Sequence, residues 1–331
     1  MHINDNIAIS PVTAGELIKL EKLLTDELSK GNAFISGEAL RILKSGGKRL
    51  RPVITLLFSH FGNPVDIKLA LKASAAIEIM HMATLVHDDT IDNAEQRRGI
   101  DTTFKKHGIH TAVYTGDWML LRSLKMMSSD KENDQKLGLL LDSLSDGLEM
   151  VCNGEIDQYY GRGRIPSMSE YFSRIKGKTE AMFGAAAMIG ARVADMADDH
   201  VRLAYDFGMD FGTAFQIRDD IIDMGTTGIS AGKPVTNDLR EGIITLPVLL
   251  ACEKSKRFRK MVEDFLSAPA ESSASEIIKE AIRAGGIGSA AQWCSTYVSK
   301  CVAHLSNMPE SPAVKEIDDL VKSIFGLTLE G

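Results

Sequence analysis

Two aspartate clusters of the same pattern are the residues best suited to chemistry. The segments 88–92 and 219–223 both read DDxxD, and each follows an apolar, helix-forming stretch. On an α-helix the first and last aspartates lie one turn apart on one face, where like charges repel each other. Mg²⁺, which prefers oxygen ligands, would relieve that repulsion and bridge carboxylates to a phosphate group. The sequence therefore predicts a Mg²⁺ site, with Mn²⁺ as the alternative cation; for a single cluster, a solvated acidic helix end is the other interpretation. The candidate ligands are Asp88, Asp89, Asp92, Asp219, Asp220 and Asp223.

Basic residues supply the charge that a phosphate ligand needs. A glycine-led segment, 46–52, carries Lys48, Arg49 and Arg51, and the segment Arg97-Arg98 follows the first aspartate cluster. Two further lysines follow in the second half of the chain, Lys178 and Lys233. Arginine forks and lysine ammonium groups both bind phosphate oxygens. Each group alone is also compatible with a solvated surface, but metal-type carboxylates and cations together predict a diphosphate ligand.

Long helices are predicted to position these groups. The 331 residues include nine prolines, and none falls within 65–165 or 167–233. Proline breaks helices, and both stretches are dominated by residues that favour helix. The sequence therefore predicts an all-α protein. Its predicted elements are a helix that begins at a Thr13–Glu16 capping box, a helix over 70–90, a helix from a Ser167–Glu170 capping box to about Val193, a helix over 200–224 and a loop over 225–237.

The composition argues against several other classes of protein. A net charge of −7 disfavours nucleic-acid binding. Four scattered cysteines without a CxxC pair do not make a disulfide scaffold or a zinc knuckle, and they fit a reducing cytoplasm. No apolar run approaches the ~18 residues of a membrane span, and the first residues lack a signal-peptide pattern. A cytoplasmic location is expected.

Four segments, in this order, resemble the signatures of the trans-isoprenyl diphosphate (polyprenyl) synthases. They are GGKRLRP (46–52), LVHDDTIDNAEQRRG (85–99), GKTEAMFGAA (177–186) and FQIRDDIID…GKPVTNDLREGIITLP (215–247). The resemblance implies a single large helical bundle around a central cavity, with the aspartate clusters facing each other at its mouth. We expect a flexible N-terminus over residues 1–12, one synthase domain over residues 13–331, and a homodimer.

The resemblance also implies a reaction and a role for each matching residue. The enzyme would join isopentenyl diphosphate to an allylic diphosphate head to tail, by ionisation, condensation and loss of a proton. The aspartates would hold Mg²⁺ on the allylic diphosphate. No protein base is evident, so the released diphosphate is expected to take the proton. Isopentenyl diphosphate would be bound by Lys48, Arg51, His81 and Arg98. The allylic site would consist of Arg97, Lys178, Thr179, Gln216 and Lys233, with Thr179 and Gln216 beside the reacting carbons. His81 lies two turns before Asp88 on one face, and a core histidine is its alternative interpretation.

Product length is predicted from the residues before the first aspartate cluster. In the family, an aromatic residue five positions before that cluster often stops chain growth early. Here the position is Ala83, with Thr84 beside it and Met80 one turn earlier. An ideal helix turns Ala83 away from the Asp88 face, so the alternative is that Ala83 only packs against a neighbouring helix. We expect a long-chain product, well beyond farnesyl, with a geranylgeranyl or farnesyl diphosphate synthase as the alternative and a membrane or carrier for product release.

Other functions compete with this interpretation. A class I terpene cyclase also uses an aspartate-rich motif and Mg²⁺, but it would not need Lys48, Arg51 and Arg98. A non-catalytic subunit of the same fold would usually lose aspartates, and all six are present. The catalytic half of a heterodimer with a small regulatory subunit stays open. Two departures from the family pattern, Ile243 in place of a lysine and a C-terminus without basic residues, leave the closure of the site open.

Overall fold

The protein is almost entirely helical, which confirms the all-α prediction. The computed structural model describes residues 8–128, 134–224, 237–269 and 271–329. Within these ranges the α-helices are α1 Pro11–Leu28, α2 Ala33–Lys44, α3 Leu50–Ser59, α4 Ile67–Ile91, α5 Thr103–Met127, α6 Asp134–Gly161, α7 Met168–Ile175, α8 Ala181–Val193, α9 Asp198–Ile222, α10 Asn237–Arg240, α11 Leu246–Lys254, α12 Lys256–Ser267, α13 Glu271–Arg283, α14 Gly286–Ser306 and α15 Pro312–Leu329. A π-helical turn, Lys176–Glu180, joins α7 to α8 and is called the π turn below. Strands β1 Gln96–Arg97 and β2 Ile100–Asp101 pair antiparallel as a short hairpin.

Two predicted helix starts have different outcomes. The capping box at Ser167 and Glu170 is confirmed, since Ser167 Oγ accepts from the Glu170 N–H and the Glu170 carboxylate accepts from the Ser167 N–H. The predicted capping box at Thr13 is wrong. Helix α1 begins at Pro11 with Ser10 as its N-cap, because proline is favoured at the first helical position and the Ser10 side chain accepts from the Thr13 N–H.

Helix α4 is the core helix that carries the first aspartate cluster. Its start is fixed by Asp66, whose carboxylate accepts from the Leu69 N–H at 3.0 Å. Most of its side chains are buried, and it packs against α1, α3 and α5. It is also the one described helix long and apolar enough to cross a membrane, but 72% of that window is buried inside the protein. The predicted helix over 70–90 is therefore confirmed, as an interior element.

The chain divides into two compact units, each made from separate segments. The first comprises residues 1–148, 182–208 and 307–324, and the second comprises residues 149–181, 209–306 and 325–331. The first aspartate cluster belongs to the first unit, and the second cluster belongs to the second unit. One synthase domain over residues 13–331 and a flexible segment over residues 1–12 stay predictions, although α1 already begins at Pro11.

Three predicted features differ in detail or fall outside the description. The helix predicted from Ser167 to Val193 contains the π turn in its middle, and the helix predicted over 200–224 is α9. The hairpin was not predicted, because its turn residues are Arg98 and Gly99 rather than an Asn-Gly pair. Both have a positive φ, 51° and 75°, as a tight two-residue hairpin turn requires. Residues 225–236 of the predicted loop lie outside the described ranges.

Candidate active site

The first aspartate cluster ends α4. Asp88 and Asp92 are partly exposed, whereas Asp89 is buried. The Nε of Arg97, on β1, donates to Oδ1 of Asp89 at 2.6 Å. The N–H of Ala94 donates to the backbone carbonyl of Asp89 at 2.9 Å, which turns the chain from the helix towards the hairpin. The cluster thus leaves its outer carboxylates accessible and uses the central one to hold the hairpin.

The second aspartate cluster repeats this division of roles at the end of α9. Asp219 and Asp223 are partly exposed, and Asp220 is 3% exposed. Oδ2 of Asp220 accepts from the Tyr171 hydroxyl at 2.7 Å and from the Leu246 N–H at 3.0 Å. Its Oδ1 accepts from the side-chain amide of Gln216, also on α9, at 2.9 Å. Burial raises the pKa of Asp220, and these three hydrogen bonds oppose that shift. As in the first cluster, the central carboxylate is occupied by hydrogen bonds within the protein.

Metal ligands are consequently best sought among the outer aspartates. Within the ranges that the structure describes, no three histidine, cysteine, aspartate or glutamate side chains already converge as a metal-binding group. The partly exposed carboxylates of both clusters are the oxygen donors that a hard divalent cation prefers. Such an ion commonly completes its coordination with water and with substrate phosphate oxygens.

A buried arginine, Arg49, holds the glycine-led segment in place through ion pairs. Arg49, in the left-handed backbone region at φ 51°, is 7% exposed. Its Nε donates to Glu21 at 2.7 Å, and its Nη1 donates to the buried Glu78 at 3.0 Å. The pKa of Arg49 is raised because these carboxylates outweigh its desolvation. Arg49 is therefore an anchor of the turn, and its neighbours in sequence, Lys48 and Arg51, are the candidate phosphate ligands.

Three of the residues predicted to bind isopentenyl diphosphate, Arg51, His81 and Arg98, lie close together in the first unit. Gly47 lies between the guanidinium groups of Arg49 and Arg98, each with an Nη1 2.8 Å from where a Cβ would be, and its φ of 153° favours glycine. Desolvation lowers the pKa of His81 well below its usual value, and the charges of Arg51 and Arg98 lower it further. A neutral imidazole beside several guanidinium groups is an environment that an anion would stabilise.

Three residues of the predicted allylic site lie in the second unit around the π turn. Lys178 Nζ lies 3.1 Å from an Oε1 of Glu155. The Thr179 hydroxyl donates to Oε1 of Gln216 at 2.7 Å, so the structure joins the two residues predicted as a polar pair. Arg97, from the first unit, already binds Asp89. Lys233 lies outside the described residues.

The residues predicted to control product length are packed along α4. Ala83 and Met80 are fully buried. Thr84 is partly buried, and its hydroxyl donates to the backbone carbonyl of His81 at 2.8 Å. Ile243, the position at which a lysine was expected, is also buried, at 9% exposure. A buried position is compatible both with a channel wall and with simple packing, so the role of Ala83 stays a prediction.

Sequence reasoning missed the partners that hold these groups in place. Tyr171, which is fully buried in α7, and the ion pair of Arg49 with Glu78 are examples. Buried glutamates in otherwise apolar helices were the available signal, since an unpaired buried charge is strongly disfavoured. The four cysteines carry no disulfide, and three of them, Cys252, Cys294 and Cys301, are buried thiols.

The chain is all-α and has two DDxxD clusters, a glycine-led basic segment and a π turn that carries Lys178 and Thr179. These features are those of the isoprenoid diphosphate synthase class. The chain belongs to the polyprenyl synthetase family, whose model matches residues 33–284. The prediction of a trans-prenyltransferase of the polyprenyl diphosphate synthase type is thereby confirmed.

Three known proteins illustrate the similarity. The heptaprenyl diphosphate synthase component 2 of Bacillus subtilis is 34% identical over 307 residues, which is 92% of this chain and 86% of that protein. The crystal structure of the heptaprenyl diphosphate synthase of Staphylococcus aureus is 30% identical, covers 95% of this chain and 98% of that one, and superposes with a TM-score of 0.88. A polyprenyl synthase of Caulobacter crescentus, solved in complex with calcium and isoprenyl diphosphate, is 27% identical, covers 95% of both chains and has a TM-score of 0.87.

Proposed function

We propose that this protein elongates allylic diphosphates with isopentenyl diphosphate to a polyprenyl diphosphate longer than farnesyl. The single observation that carries the proposal is that the chain has two clusters with partly exposed outer aspartates and, in addition, arginines around His81. A diphosphate that ionises needs metal and cations, whereas a diphosphate that only binds needs cations alone.

The allylic site is assigned to the outer aspartates and the π turn. Asp88, Asp92, Asp219 and Asp223 would hold Mg²⁺, with Mn²⁺ as a substitute, since their carboxylates fit a hard cation. The bound metal would supply charge neutralisation of the leaving diphosphate. The Caulobacter relative, which was solved with calcium and isoprenyl diphosphate, supports this assignment.

Cations and polar groups of the chain would complete the allylic site. Lys178, Lys233 and Arg97 would neutralise the remaining negative charge of the diphosphate. Thr179 and Gln216 would lie beside the reacting carbons. No protein base is assigned, because the released diphosphate can accept the proton.

The isopentenyl site is assigned to Lys48, Arg51, His81 and Arg98. This substrate keeps its diphosphate, so the site needs only complementary charge and hydrogen-bond donors. The His81 imidazole, whose pKa is lowered by desolvation and by nearby arginines, is neutral without an anion and would gain a proton more readily once a diphosphate is bound.

Product length and oligomeric state extend the proposal. The small Ala83 would leave room for a long chain, and the heptaprenyl synthases among the relatives support a product beyond farnesyl. We assign a homodimer to the face of α5 on which Tyr114 and Leu121, seven residues apart, are each at least 60% exposed. A reducing cytoplasm is assigned as the location, and a membrane or carrier would take up the product.

A second candidate is the catalytic component of a two-chain synthase. The Bacillus relative is named component 2, which favours this alternative. The purified chain should be incubated with isopentenyl diphosphate, with geranyl, farnesyl or geranylgeranyl diphosphate, and with Mg²⁺, and the products separated by chromatography. Polyprenyl products beyond farnesyl would support the first candidate. Products that appear only after a cell extract is added would favour the second, and farnesyl as the longest product would contradict the length assignment.

A further inference from the structure

The π turn is an unusual support for substrate-binding side chains. Within it the N–H of Ala181 donates to the carbonyl of Lys176, an i to i+5 hydrogen bond. Such turns insert one residue into an α-helix, are rare, and are frequent at functional sites. If neighbouring contacts did not hold the extra residue, the turn would relax to an α-helix and rotate Lys178 and Thr179 about the helix axis.

On one side, the π turn is held by backbone contact with α6. A Cβ on Gly154 would lie 2.7 Å from the Cα of Gly177, and a Cβ on Gly177 would lie 2.5 Å from the carbonyl oxygen of Met150. Real side chains do not fit at that distance, so two glycines allow the backbones to touch. This contact fixes the position of the turn but leaves its rotation to other groups.

On the other side, α9 receives two adjacent residues of the turn. The Thr179 hydroxyl donates to Gln216 Oε1 at 2.7 Å, and the Thr213 hydroxyl donates to Glu180 Oε1 at 2.6 Å. Thr213 precedes Gln216 by three positions, so both lie on one face of α9. The two bonds run in opposite directions, one donated by the turn and one accepted by it. Together they fix the rotation of the turn in a way that a single bond would not.

We propose that Glu180 and Thr213 form a positioning pair that fixes the rotation of the π turn and so aims Lys178 and Thr179 at the allylic diphosphate. Neither residue touches the reacting atoms in this assignment. Both are almost fully buried, at 7% and 2% exposure, so the bond between them is protected from competing water.

The surroundings of Glu180 make it an acceptor with an unusual proton affinity. The pKa of Glu180 is raised to about 7, chiefly by burial and also by the nearby Asp210, while the Thr213 hydrogen bond opposes the shift. Asp210 is in turn paired with His304 at 2.9 Å and with Lys300 at 3.7 Å. The charged and titratable groups that face Glu180 are Asp210 on α9, Tyr297, Lys300 and His304 on α14, Tyr171 on α7 and Lys176 in the turn itself.

Substitutions at the two residues separate positioning from general stability. The inference rests on the proposed allylic role of the π turn, so wild-type product formation is measured first. Thr213→Val and Glu180→Ala are expected to raise the KM for the allylic substrate about tenfold, as the loss of one buried hydrogen bond to a carboxyl group predicts. Their KM for isopentenyl diphosphate is expected to stay unchanged. Glu180→Gln keeps an oxygen acceptor at the same place and is expected to stay within about twofold of the wild type.

Thr55→Val is the matched control. Thr55 is fully buried, and its hydroxyl lies 3.1 Å from the backbone carbonyl of Arg51 and 3.0 Å from that of Ala186, so its one proton has two acceptors in reach. It should therefore lower the melting temperature about as much as Thr213→Val while leaving the allylic KM unchanged. Equal allylic KM values in the two variants, or a Glu180→Gln enzyme as impaired as Glu180→Ala, would overturn the positioning role. An inactive wild type would instead refute the proposed function.

The ionisation of Glu180 provides a readout that needs no turnover. Between the ordinary carboxyl pKa near 4.5 and the folded value near 7, the folded state binds the extra proton. Stability from this group is therefore lost as pH rises through that window. The melting temperature of the wild type should fall relative to that of Glu180→Gln between pH 5 and pH 8. A difference that does not change with pH would contradict the buried, hydrogen-bonded placement on which the positioning role depends.

Discussion

Replacing Arg49 with methionine is expected to lower the free energy of unfolding by about 3–5 kcal/mol, the range found when one partner of a buried ion pair is removed. Methionine keeps most of the apolar stem but loses the donors to Glu78 at 3.0 Å, to Glu21 at 2.7 Å and to the carbonyl of Leu43 at 3.2 Å. Most of the loss comes from Glu78, whose side chain is 5% exposed and would lose its buried ion pair with Arg49. Glu21 is 32% exposed, so its lost pairing contributes under about 1 kcal/mol.

The same substitution is expected to weaken one substrate selectively. Because Arg49 anchors the turn that carries Lys48, its loss should raise the KM for isopentenyl diphosphate and leave the allylic KM unchanged. Urea unfolding followed by circular dichroism gives the stability, and initial rates with each substrate varied give the two KM values.

Two further variants make this prediction refutable. Arg259→Met removes an exposed pair with Glu263, 45% and 47% accessible, and is expected to cost under about 0.5 kcal/mol. The double variant Arg49→Met/Glu78→Met replaces both charges with apolar groups and should recover much of the stability. A loss in Arg49→Met no greater than that in Arg259→Met, or a double variant as unstable as the sum of its parts, would refute the reasoning.

The remaining predictions concern the metal site, the two substrates and the product. Asp219→Ala should lower turnover by orders of magnitude while the protein still folds, because the residue is partly exposed and its 3.5 Å pair with Arg218 contributes about 1 kcal/mol or less. Asp220→Asn should instead cost about 1–3 kcal/mol of stability, since its amide would face a donor that the carboxylate now satisfies. Arg98→Ala should raise the KM for isopentenyl diphosphate more than the allylic KM, and Lys178→Ala should do the reverse. Ala83→Phe should shorten the product, as measured by chromatography, while the first condensation continues.

Each of these predictions has a clear contrary result. Near-normal turnover of Asp219→Ala at saturating Mg²⁺ would remove that residue from the metal ligands. Unchanged thermal unfolding of Asp220→Asn would contradict the structural role of the central carboxylate. Equal effects of Arg98→Ala and Lys178→Ala on both substrates would undo the division between the sites, and an unchanged product in Ala83→Phe would place that residue outside the channel.

Helices were predictable because they depend on local patterns. The apolar run of α4 and the Ser167 capping box are properties of a few adjacent residues, and both are confirmed. The role of Arg49 was not predictable, because its partners lie 28 and 29 residues away in sequence. In a basic segment, an arginine that is buried in ion pairs and an arginine that binds phosphate look the same in the sequence. Only tertiary contacts distinguish them.

The π turn and the hairpin show the same limit. A π turn has no composition of its own, and this one depends on Gly154 of α6 and on hydroxyl and amide groups of α9. The hairpin turn at Arg98 uses a positive φ that is uncommon for arginine, so the usual Asn-Gly signal is absent. The Ser10 N-cap was missed because Thr13 offered a plausible local alternative that Pro11 overrides.

The central aspartates imply a particular course of divergence in chains of this fold. Asp89 and Asp220 are buried and hold, respectively, the hairpin and the start of α11, whereas the outer aspartates are partly exposed. Selection for a stable fold alone would therefore preserve the second aspartate of each DDxxD motif. A duplicated copy that has lost catalysis should drift first at the outer positions, so its motif would decay to xDxxx rather than vanish. The order in which the aspartates are lost would then indicate whether selection for catalysis or selection for folding was relaxed.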